Sequence, residues 1–326
     1  MRMRKKLTNG KMAWILAVVL VLFMATGVAE EERTDAGGQW LYVLEEAGAT
    51  IAGYVGEPTG DLVVPNEVDG YPVTGFGRFV ANDHYEGEGI ITSVTIPDTV
   101  LQIFPYPFTN FPKLECVEVS PGNPAYESVD GVLFDKRQGM LVVYPMRQAG
   151  ETYAMPEGTR SIGRHAFALR GELAGITLPN SITNIGDYAF CGCYRLTSII
   201  IPGSVTGIGD SAFSTCGSLT DAILMDGVTE IGASAFSTCR RLTHVTIPSS
   251  VTSIGYWAFE GCNSLTSLTI PANVTSIGED AFANCGDLTL VVPEGSYAEQ
   301  YAKENGIPYA LSDIHIAEDS DTDQPR

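Results

Sequence analysis

Seven cysteines and four histidines are the residues of this 326-residue chain that could carry out nucleophilic chemistry or bind zinc. A cysteine nucleophile needs a neighbouring base, commonly a histidine within hydrogen-bond reach. In the stretch VTSIGYWAFEGCNSLTSLTIP (residues 251–271), Cys262 follows Tyr256 and Trp257, an aromatic pair that could hold a substrate beside the thiol. The same stretch could instead be scaffold, and the rest of the chain decides between these interpretations.

The stretch is one copy of a 23-residue repeat. The dipeptide Ile-Gly recurs at this spacing six times between residues 162 and 278, and Ala-Phe follows it in every copy. A cysteine comes three residues after the phenylalanine in five copies, and a leucine comes three residues later in all six. The consensus is VTxIGxxAFxxCxxLTxIxIP, and such self-similarity at a fixed period predicts a solenoid.

The residue pattern within one repeat predicts two extended segments and a turn. LTSLTIP (265–271) alternates apolar and polar residues as a strand does, and its proline ends the strand. In the second segment, VTSIG (251–255), Gly255 stands either at a turn with positive φ or where the next coil approaches closely. The spacing of one helical face predicts a short α or 3₁₀ turn over Ala258, Phe259 and Cys262. The predicted fold class is therefore an α/β solenoid of 23-residue coils, each a β-strand plus a short helical turn.

The repeat accounts for five of the seven cysteines, which form one inward-facing column: Cys193, Cys216, Cys239, Cys262 and Cys285. Phe111 holds the same slot upstream, which indicates that the slot needs an apolar filler. Side chains stacked in parallel have poor geometry for an S–S bond, so buried thiols are favoured over disulfides. Cys191 is predicted to be exposed, and it is the candidate for a reactive or intermolecular thiol.

No pairing of a cysteine with a histidine follows from this register. His244 lies on an outward strand position while Cys239 points inward, and His165 lies in the copy where Arg170 replaces the cysteine. The Cys-x-Cys pair that ends at Cys193 is a poor metal motif because one thiol faces the core. We therefore predict no catalytic residue, no metal site and no cofactor, and we interpret the chain as non-enzymatic.

The chain on either side of the repeats predicts a targeting segment, two caps and a tail. Residues 1–29 have a basic start, a twelve-residue apolar core and small residues before a cleavage site, which is typical of a signal peptide; an uncleaved anchor is the alternative. Ser296, Glu299 and Gly306 are the cap and stop residues of a helix. The predicted divisions are an N-terminal cap with an irregular first coil (30–90), the repeat solenoid (91–293) with a hairpin insert at about 120–155, a C-terminal cap helix (294–312) and a disordered acidic tail (313–326).

The charge of the chain limits its partners. The whole chain has 19 basic and 39 acidic residues. Residues 1–29 contain five of the basic residues and no acidic ones, so without them the formal charge is −25. Such a field repels nucleic acid and anionic membranes, and it attracts cationic partners. We expect no nucleic-acid binding, and no membrane insertion once the signal peptide is cleaved.

The repeat consensus, with SPGNPAYESVDGVLF (120–134) and GSYAEQYAKENGIPY (295–309), resembles the BspA-like, treponemal-type leucine-rich repeat family over roughly residues 40–310. The resemblance implies a leucine-rich repeat solenoid. It also implies a secreted or surface protein of a bacterium that makes protein–protein contacts, including adhesion to host matrix proteins. It names no ligand, and no binding residue can be transferred, because the shared motif is the core.

Two columns of outward residues are candidate partner-binding sites. The strand positions form a flat face of mostly small residues with Ile200, Ile223, His244 and Thr246 in it; the alternative reason for threonine there is only that it suits strands. Tyr256 and Trp257 interrupt a column of small and polar residues, and aromatics are enriched at binding hot spots. The alternative for the tryptophan is that its ring lies across the neighbouring coil.

The predicted function is that of an adhesin-like scaffold, secreted or at the cell surface, that binds a protein through the strand face, with a glycan as the alternative ligand. A self-associating surface component is the second hypothesis and an enzyme the weakest, and the expected state is a monomer or a weakly associating chain. One coil departs from the consensus, with alanine at 222 and methionine at 225. We expect the coil around 219–231 to pack least well.

Overall fold

A computed structural model describes residues 31–56, 58–77, 90–104, 108 and 111–312. The description is continuous from residue 111 to residue 312 and includes all six copies of the repeat. The predicted signal peptide and acidic tail lie outside the described residues, as do His84 and His315.

The N-terminal region is rich in strands, as predicted for a cap. Its strands are β1 Arg33–Thr34, β2 Trp40–Glu45, β3 Gly48–Tyr54, β4 Gly60–Val63, β5 Glu67–Val68, β6 Tyr71–Phe76, β7 Ile91–Ile96, β8 Gln102–Ile103 and β9 Cys116–Val119. One sheet has the order β1, β2, β3, β6 and β5, with β8 paired to β6, and a second sheet consists of β4, β7 and β9.

The predicted hairpin insert is present, and one of its strands belongs to the solenoid. Its strands are β10 Tyr126–Val129, β11 Val132–Asp135 and β12 Met140–Val143, each antiparallel to the next. Strand β12 also pairs in parallel with the first short strand of the repeats, where Leu141 lies opposite Ile162. The insert therefore leads directly into the repeat ladder.

The VTSIG segments of the repeats continue this ladder, which we call the Ile-Gly ladder. Successive strands are parallel and shifted by one repeat, so Ile254 pairs with Ile231 on one side and Ile277 on the other. The strands are β14 Ser161–Ile162, β16 Asn184–Ile185, β18 Gly207–Ile208, β20 Glu230–Ile231, β22 Ser253–Ile254 and β24 Ser276–Ile277. This register confirms the 23-residue solenoid.

The LTSLTIP segments form the second set of parallel strands, and their outward positions are the strand face. The strands are β13 Thr152–Ala154, β15 Gly175–Thr177, β17 Ser198–Ile201, β19 Asp221–Leu224, β21 His244–Thr246, β23 Ser267–Thr269 and β25 Thr289–Val292, and β26 Tyr309–Leu311 joins them from beyond the repeats. They lie in three separate sheets, β13–β15, β17–β19–β21 and β23–β25–β26.

The glycine of each Ile-Gly pair is needed because neighbouring coils touch there. A Cβ added to Gly255 would lie 2.5 Å from the backbone nitrogen of Ala233 and 2.6 Å from the carbonyl carbon of Gly232. Gly255 does not have a positive φ, so close approach, rather than a left-handed turn, explains the repeated glycine.

The segment predicted as a short helical turn is a run of turns that bonds partly to the next coil. Some of its amides donate three residues back, as Ala212 does to Gly209. The intervening amides donate across to the following coil: Ser211 N to Ala233 O, Phe213 N to Ala235 O and Thr215 N to Ser237 O. The second residue after the glycine has a φ of 53–57° in every copy, including Trp257, so a continuous helix cannot form.

A spine of aromatic rings fills the centre of the solenoid. The six repeat phenylalanines from Phe167 to Phe282 are stacked with interplanar angles of at most 14° and centroid separations of 4.9–5.7 Å. Tyr144 extends the stack at one end and Tyr301 contacts the other edge-on. One hydrophobic core thus runs from the hairpin to the C-terminal helix, and a second core fills the N-terminal region from β2 to the hairpin.

The predicted C-terminal cap helix is α1, Tyr297–Glu304. The Ser296 side chain accepts a hydrogen bond from the Glu299 amide, and the Glu299 carboxylate accepts one from the Gly295 amide at 2.7 Å. Tyr301 donates its hydroxyl to Gly278 O at 3.1 Å and covers the last ring of the spine. The helix therefore closes the apolar end of the final coil.

Candidate functional site

The cysteine column is a structural part of the core. All five column cysteines are buried free thiols. Each thiol donates to the carbonyl of a phenylalanine in the preceding coil, as Cys262 does to Phe236 O at 3.2 Å. Burial raises the pKa of Cys193 to about 12 and that of Cys285 to about 11, and it also raises the pKa of Cys262. These three thiols are therefore protonated at neutral pH and unsuited to nucleophilic attack.

Arg170 takes the place of a column cysteine and makes the equivalent hydrogen bond. Its Nε donates to Tyr144 O, and a terminal nitrogen donates to Ala168 O at 2.9 Å. Its side chain is buried, and this desolvation lowers the pKa of the guanidinium to about 10. Arg170 thus donates hydrogen bonds to backbone carbonyls in the first coil of the column, as the cysteines do in the later coils.

The two cysteines outside the column are half-buried. Burial raises the pKa of the Cys191 thiol, which lies 3.9 Å from the Thr215 hydroxyl. The pKa of Cys116 is also raised, first by burial and then by nearby carboxylates. Neither environment activates a thiolate. The prediction that Cys191 is exposed is wrong: its side chain is half-buried, because its turn bonds closely to the next coil.

Two histidines lie within the described residues, and both are set apart from the cysteine column. His244 is exposed on β21, and its Nε2 lies 3.5 Å from the Thr246 hydroxyl. His165 stacks on Tyr188 with centroids 4.6 Å apart. Burial, and then the charge of Arg164, lowers the pKa of His165 to about 4, so this imidazole is neutral at physiological pH.

The strand face brings together four of the six predicted contact residues. Ile200 lies opposite Ile223, which lies opposite Thr246, on three successive parallel strands. His244 stands two residues before Thr246 and opposite Asp221. Ile200 is 57% exposed, and Ile223 is half-buried. These residues form one continuous patch on the β17–β19–β21 sheet.

Tyr256 and Trp257 do not join that patch. They follow the Ile-Gly ladder, which is a different sheet, and they are 58% and 52% exposed. The structure therefore separates the six predicted contact residues into two surfaces. It also places the two aromatic side chains in two different hollows.

Tyr256 lines an open groove of about 550 Å³ that crosses five strands of the Ile-Gly ladder. The floor consists of the close-packed glycines and the backbone of the ladder. The charged residues of its lining are all acidic: Asp187, Asp210, Glu230 and Glu279. The Asp187 carboxylate accepts a hydrogen bond from the Asp210 amide at 3.0 Å, and the Asp210 carboxylate accepts one from the Ala233 amide at 2.8 Å. The groove therefore combines a negatively charged lining with one aromatic side chain, Tyr256.

Trp257 lines a smaller notch of about 370 Å³ built by three successive coils. Its lining is Ser234, Ser237, Trp257, Glu260, Asp280, Ala283 and Asn284. The two Glu260 carboxylate oxygens accept separate hydrogen bonds, from the Ser237 hydroxyl at 3.0 Å and the Asn284 amide at 3.1 Å. The notch thus combines a half-exposed indole with a carboxylate fixed from both sides.

Sequence reasoning missed the carboxylate of the notch. Glu260 occupies a slot that holds serine or alanine in most other copies, and nothing in the repeat pattern marks it. The pairing of Ser237 with Glu260 is visible only as a 23-residue offset, and that of Glu260 with Asn284 as an offset of 24. Only the stacking of coils places these side chains together.

Metal-binding clusters and membrane-spanning helices are both absent from the described residues. Within them, no group of three or more histidine, cysteine and acidic side chains could hold a metal ion. Likewise, no helix in that part of the chain has the length and apolar character to cross a bilayer.

Comparison with known proteins identifies the repeats. Residues 153–292 match the model of the BspA type leucine rich repeat region in six copies, which confirms the resemblance seen in the sequence. A crystal structure of a leucine-rich repeat protein from Eubacterium ventriosum is 24% identical, with a TM-score of 0.56, over 71% of this chain and 66% of that one. The similarity shows the fold, and this chain spans slightly less than two thirds of that protein.

Two further solved structures align along most of the chain. A leucine rich cell surface protein from Faecalibacterium prausnitzii is 24% identical, with a TM-score of 0.40, over 89% of this chain and 97% of that one. The leucine rich repeat protein of T. pallidum is 25% identical, with a TM-score of 0.38, over 86% and 98%. No curated protein matches the chain with significant similarity.

Proposed function

We propose, on the premise that residues 153–292 are a BspA type leucine-rich repeat region, that the protein is a scaffold that binds another protein through its strand face. The observation that carries the proposal is the outward column of Ile200, Ile223 and Thr246 on three registered strands. Ile200 is exposed and Ile223 is half-buried beside it, and apolar surface that remains accessible on a sheet is the kind of surface that protein contacts desolvate.

As part of this proposal, the protein acts outside the cell or at its surface, as an adhesin-like protein. A predicted signal peptide and a charge of −20 fit a secreted or cell-surface protein that adheres to a host or cell-surface partner, with a glycan as the alternative ligand. The buried thiols and the separated histidines favour a binding role over catalysis. The acidic charge disfavours nucleic acid as the partner.

Self-association is the second candidate, and the structure offers it less support. Assembly through a disulfide needs an exposed thiol at Cys191, and that thiol is half-buried with a raised pKa. Light scattering on the wild type and on Cys191→Ser, both without reductant, measures the oligomeric state directly. A monomer in both samples is expected, and a dimer lost in the variant would favour self-association.

The strand-face proposal is tested by binding of the purified chain to immobilised extracellular-matrix proteins and to intact host cells. Replacing Ile200 or Ile223 with glutamate is expected to weaken that binding at least about fivefold, as loss of a hot-spot residue does. Leu101→Glu is the matched control, because Leu101 is an exposed aliphatic side chain outside the strand face. Equal binding by all three variants would contradict the proposal.

A further inference from the structure

The notch beside Trp257 has the chemistry to bind an arginine side chain. We infer that it is a second interaction site, separate from the strand face, which takes a guanidinium group presented by a partner protein. The proposal depends on the arrangement of Trp257 and Glu260 of one coil and Asp280 of the next around one cavity.

The backbone of Trp257 is held by hydrogen bonds, and much of its side chain is exposed. Its amide donates to Glu279 O at 3.2 Å, and its carbonyl accepts from the Glu260 amide at 3.0 Å, so the two side chains project from one turn. Ser234 and Asp280 hold the same slot in the coils before and after. Because both neighbours are small, the ring remains 52% exposed and lines the cavity.

The Glu260 carboxylate is positioned and retains capacity to accept hydrogen bonds. Each oxygen already accepts one bond, from Ser237 or from Asn284. An ionised carboxylate offers about four acceptor positions, so about two remain for a ligand. The two flanking hydrogen bonds fix the plane of the group, which suits the planar fork of a guanidinium.

The charge of the lining selects the ligand. Glu260 and Asp280 are the charged residues of the notch, and no basic side chain lies among its lining residues. An anionic ligand would be repelled, and a neutral sugar would leave both charges uncompensated. An arginine pairs with the carboxylate and also stacks on the indole, which attracts cations through the face of its ring.

The groove on the other side of the aromatic pair supports the same choice. Tyr256 borders a trough whose charged residues are all acidic, and it is the chain neighbour of Trp257. A basic segment lying over the pair would therefore meet negative charge on both sides. Such complementarity chiefly favours encounter and orientation of the partner.

The experiment uses the full chain with ¹⁵N-labelled tryptophan and follows the indole N–H resonance of Trp257 by NMR. The probe is N-acetyl-arginine amide, and N-acetyl-citrulline amide is its neutral counterpart of similar shape. We expect a saturable shift with the arginine probe, and binding weaker by about fivefold for citrulline and for Glu260→Gln. Trp257→Leu assigns the resonance, and thermal unfolding verifies that each variant is folded.

A matched variant separates a local site from the general field of an acidic protein. Glu157→Gln removes the same charge from an exposed carboxylate outside the notch, and it is expected to leave the binding unchanged. Equal weakening by Glu157→Gln and Glu260→Gln would overturn the proposal. So would equal binding of citrulline, or a saturable shift with methyl glucoside in place of the arginine probe. The proposal does not require the strand-face function, because the two use different residues and different probes.

Discussion

At the residue scale, the close spacing between coils depends on glycines, because a Cβ would not fit where two backbones approach each other. Gly207 and Gly209 flank Ile208 on β18, and neither has a positive φ. A Cβ added at Gly209 would lie 2.6 Å from the backbone nitrogen of Asp187, whereas one added at Gly207 would meet nothing within 4 Å. Two glycines separated by one residue therefore have different reasons to be there.

This contrast predicts opposite effects of the same substitution. Gly209→Ala is expected to destabilise the protein by about 3 kcal/mol, since the contact is with backbone that cannot move without separating the coils. Gly207→Ala is expected to stabilise it by about 0.5 kcal/mol by restricting the unfolded chain. Urea unfolding of both variants measures the difference. Similar losses of stability would show that close approach is not the reason for the repeated glycine.

Sequence reasoning at this scale identifies the buried slots and leaves one choice open. The column from Cys193 to Cys285 is predicted to be buried because Phe111 can replace a cysteine there, and the structure confirms it. The sequence does not decide whether Gly255 serves a left-handed turn or a close approach. Both are reasons for glycine, and only the distance between coils distinguishes them.

At the element scale, the strand face is less continuous than the Ile-Gly ladder. The ladder runs unbroken from β10 to β24, whereas the strand-face strands divide into separate sheets between β15 and β17 and between β21 and β23. The non-consensus strand β19 pairs in register with both neighbours. Val245 and Ile247, beside the second break, are 8% and 9% exposed, while Leu224 is 1% exposed.

Hydrogen exchange should therefore find the weak point at β21–β23 and not at the coil of residues 219–231. Backbone amides that lack a regular ladder partner open more readily. We expect faster exchange of the amides of Ser267 and Thr269, which face the break, than of Ala222 and Ile223, measured by mass spectrometry or NMR under native conditions. The fastest exchange around 219–231 would instead support the expectation from the departures of that coil from the consensus.

Two elements show why periodicity alone could not complete the fold. The turn residues predict the hairpin, but the pairing of β12 with the first repeat strand depends on contacts that the 23-residue spacing does not encode. The turn segment has the spacing of a helical face, yet every other amide donates to the next coil. Tertiary hydrogen bonds decide that geometry, and a single repeat does not display them.

At the scale of the whole molecule, repetition makes the fold easy to predict and the site difficult. Each core slot appears six times, so its role can be inferred from the copies taken together. A proposed contact residue such as Trp257 or Glu260 occurs once, in a slot where other copies have different residues. The outward strand column is predictable because a parallel strand repeats its face, whereas the notch needs side chains from three coils.

Because the buried thiol recurs in successive coils, its effect on the alkaline stability of the whole chain is repeated with it. In the folded state, burial raises the pKa of Cys193 to about 12 and that of Cys285 to about 11, from an ordinary value of about 9. Below pH 9 these thiols are protonated in both states, and their contribution to stability is complete. Above pH 9 they ionise only in the unfolded chain, so stability is lost as the pH rises towards 11 and 12.

The protein should therefore lose stability steeply between pH 9 and 11 in the presence of reductant. Each thiol that stays protonated only in the folded state contributes about 1.4 kcal/mol per pH unit to this loss. In urea unfolding at successive pH values, the double variant Cys193→Ala with Cys285→Ala should show a shallower slope, although its stability at pH 8 is lower. Ile199→Val is the control, because it also removes core contacts but leaves every thiol in place. If the double variant and the control have the same slope, groups other than the cysteine column cause the alkaline unfolding.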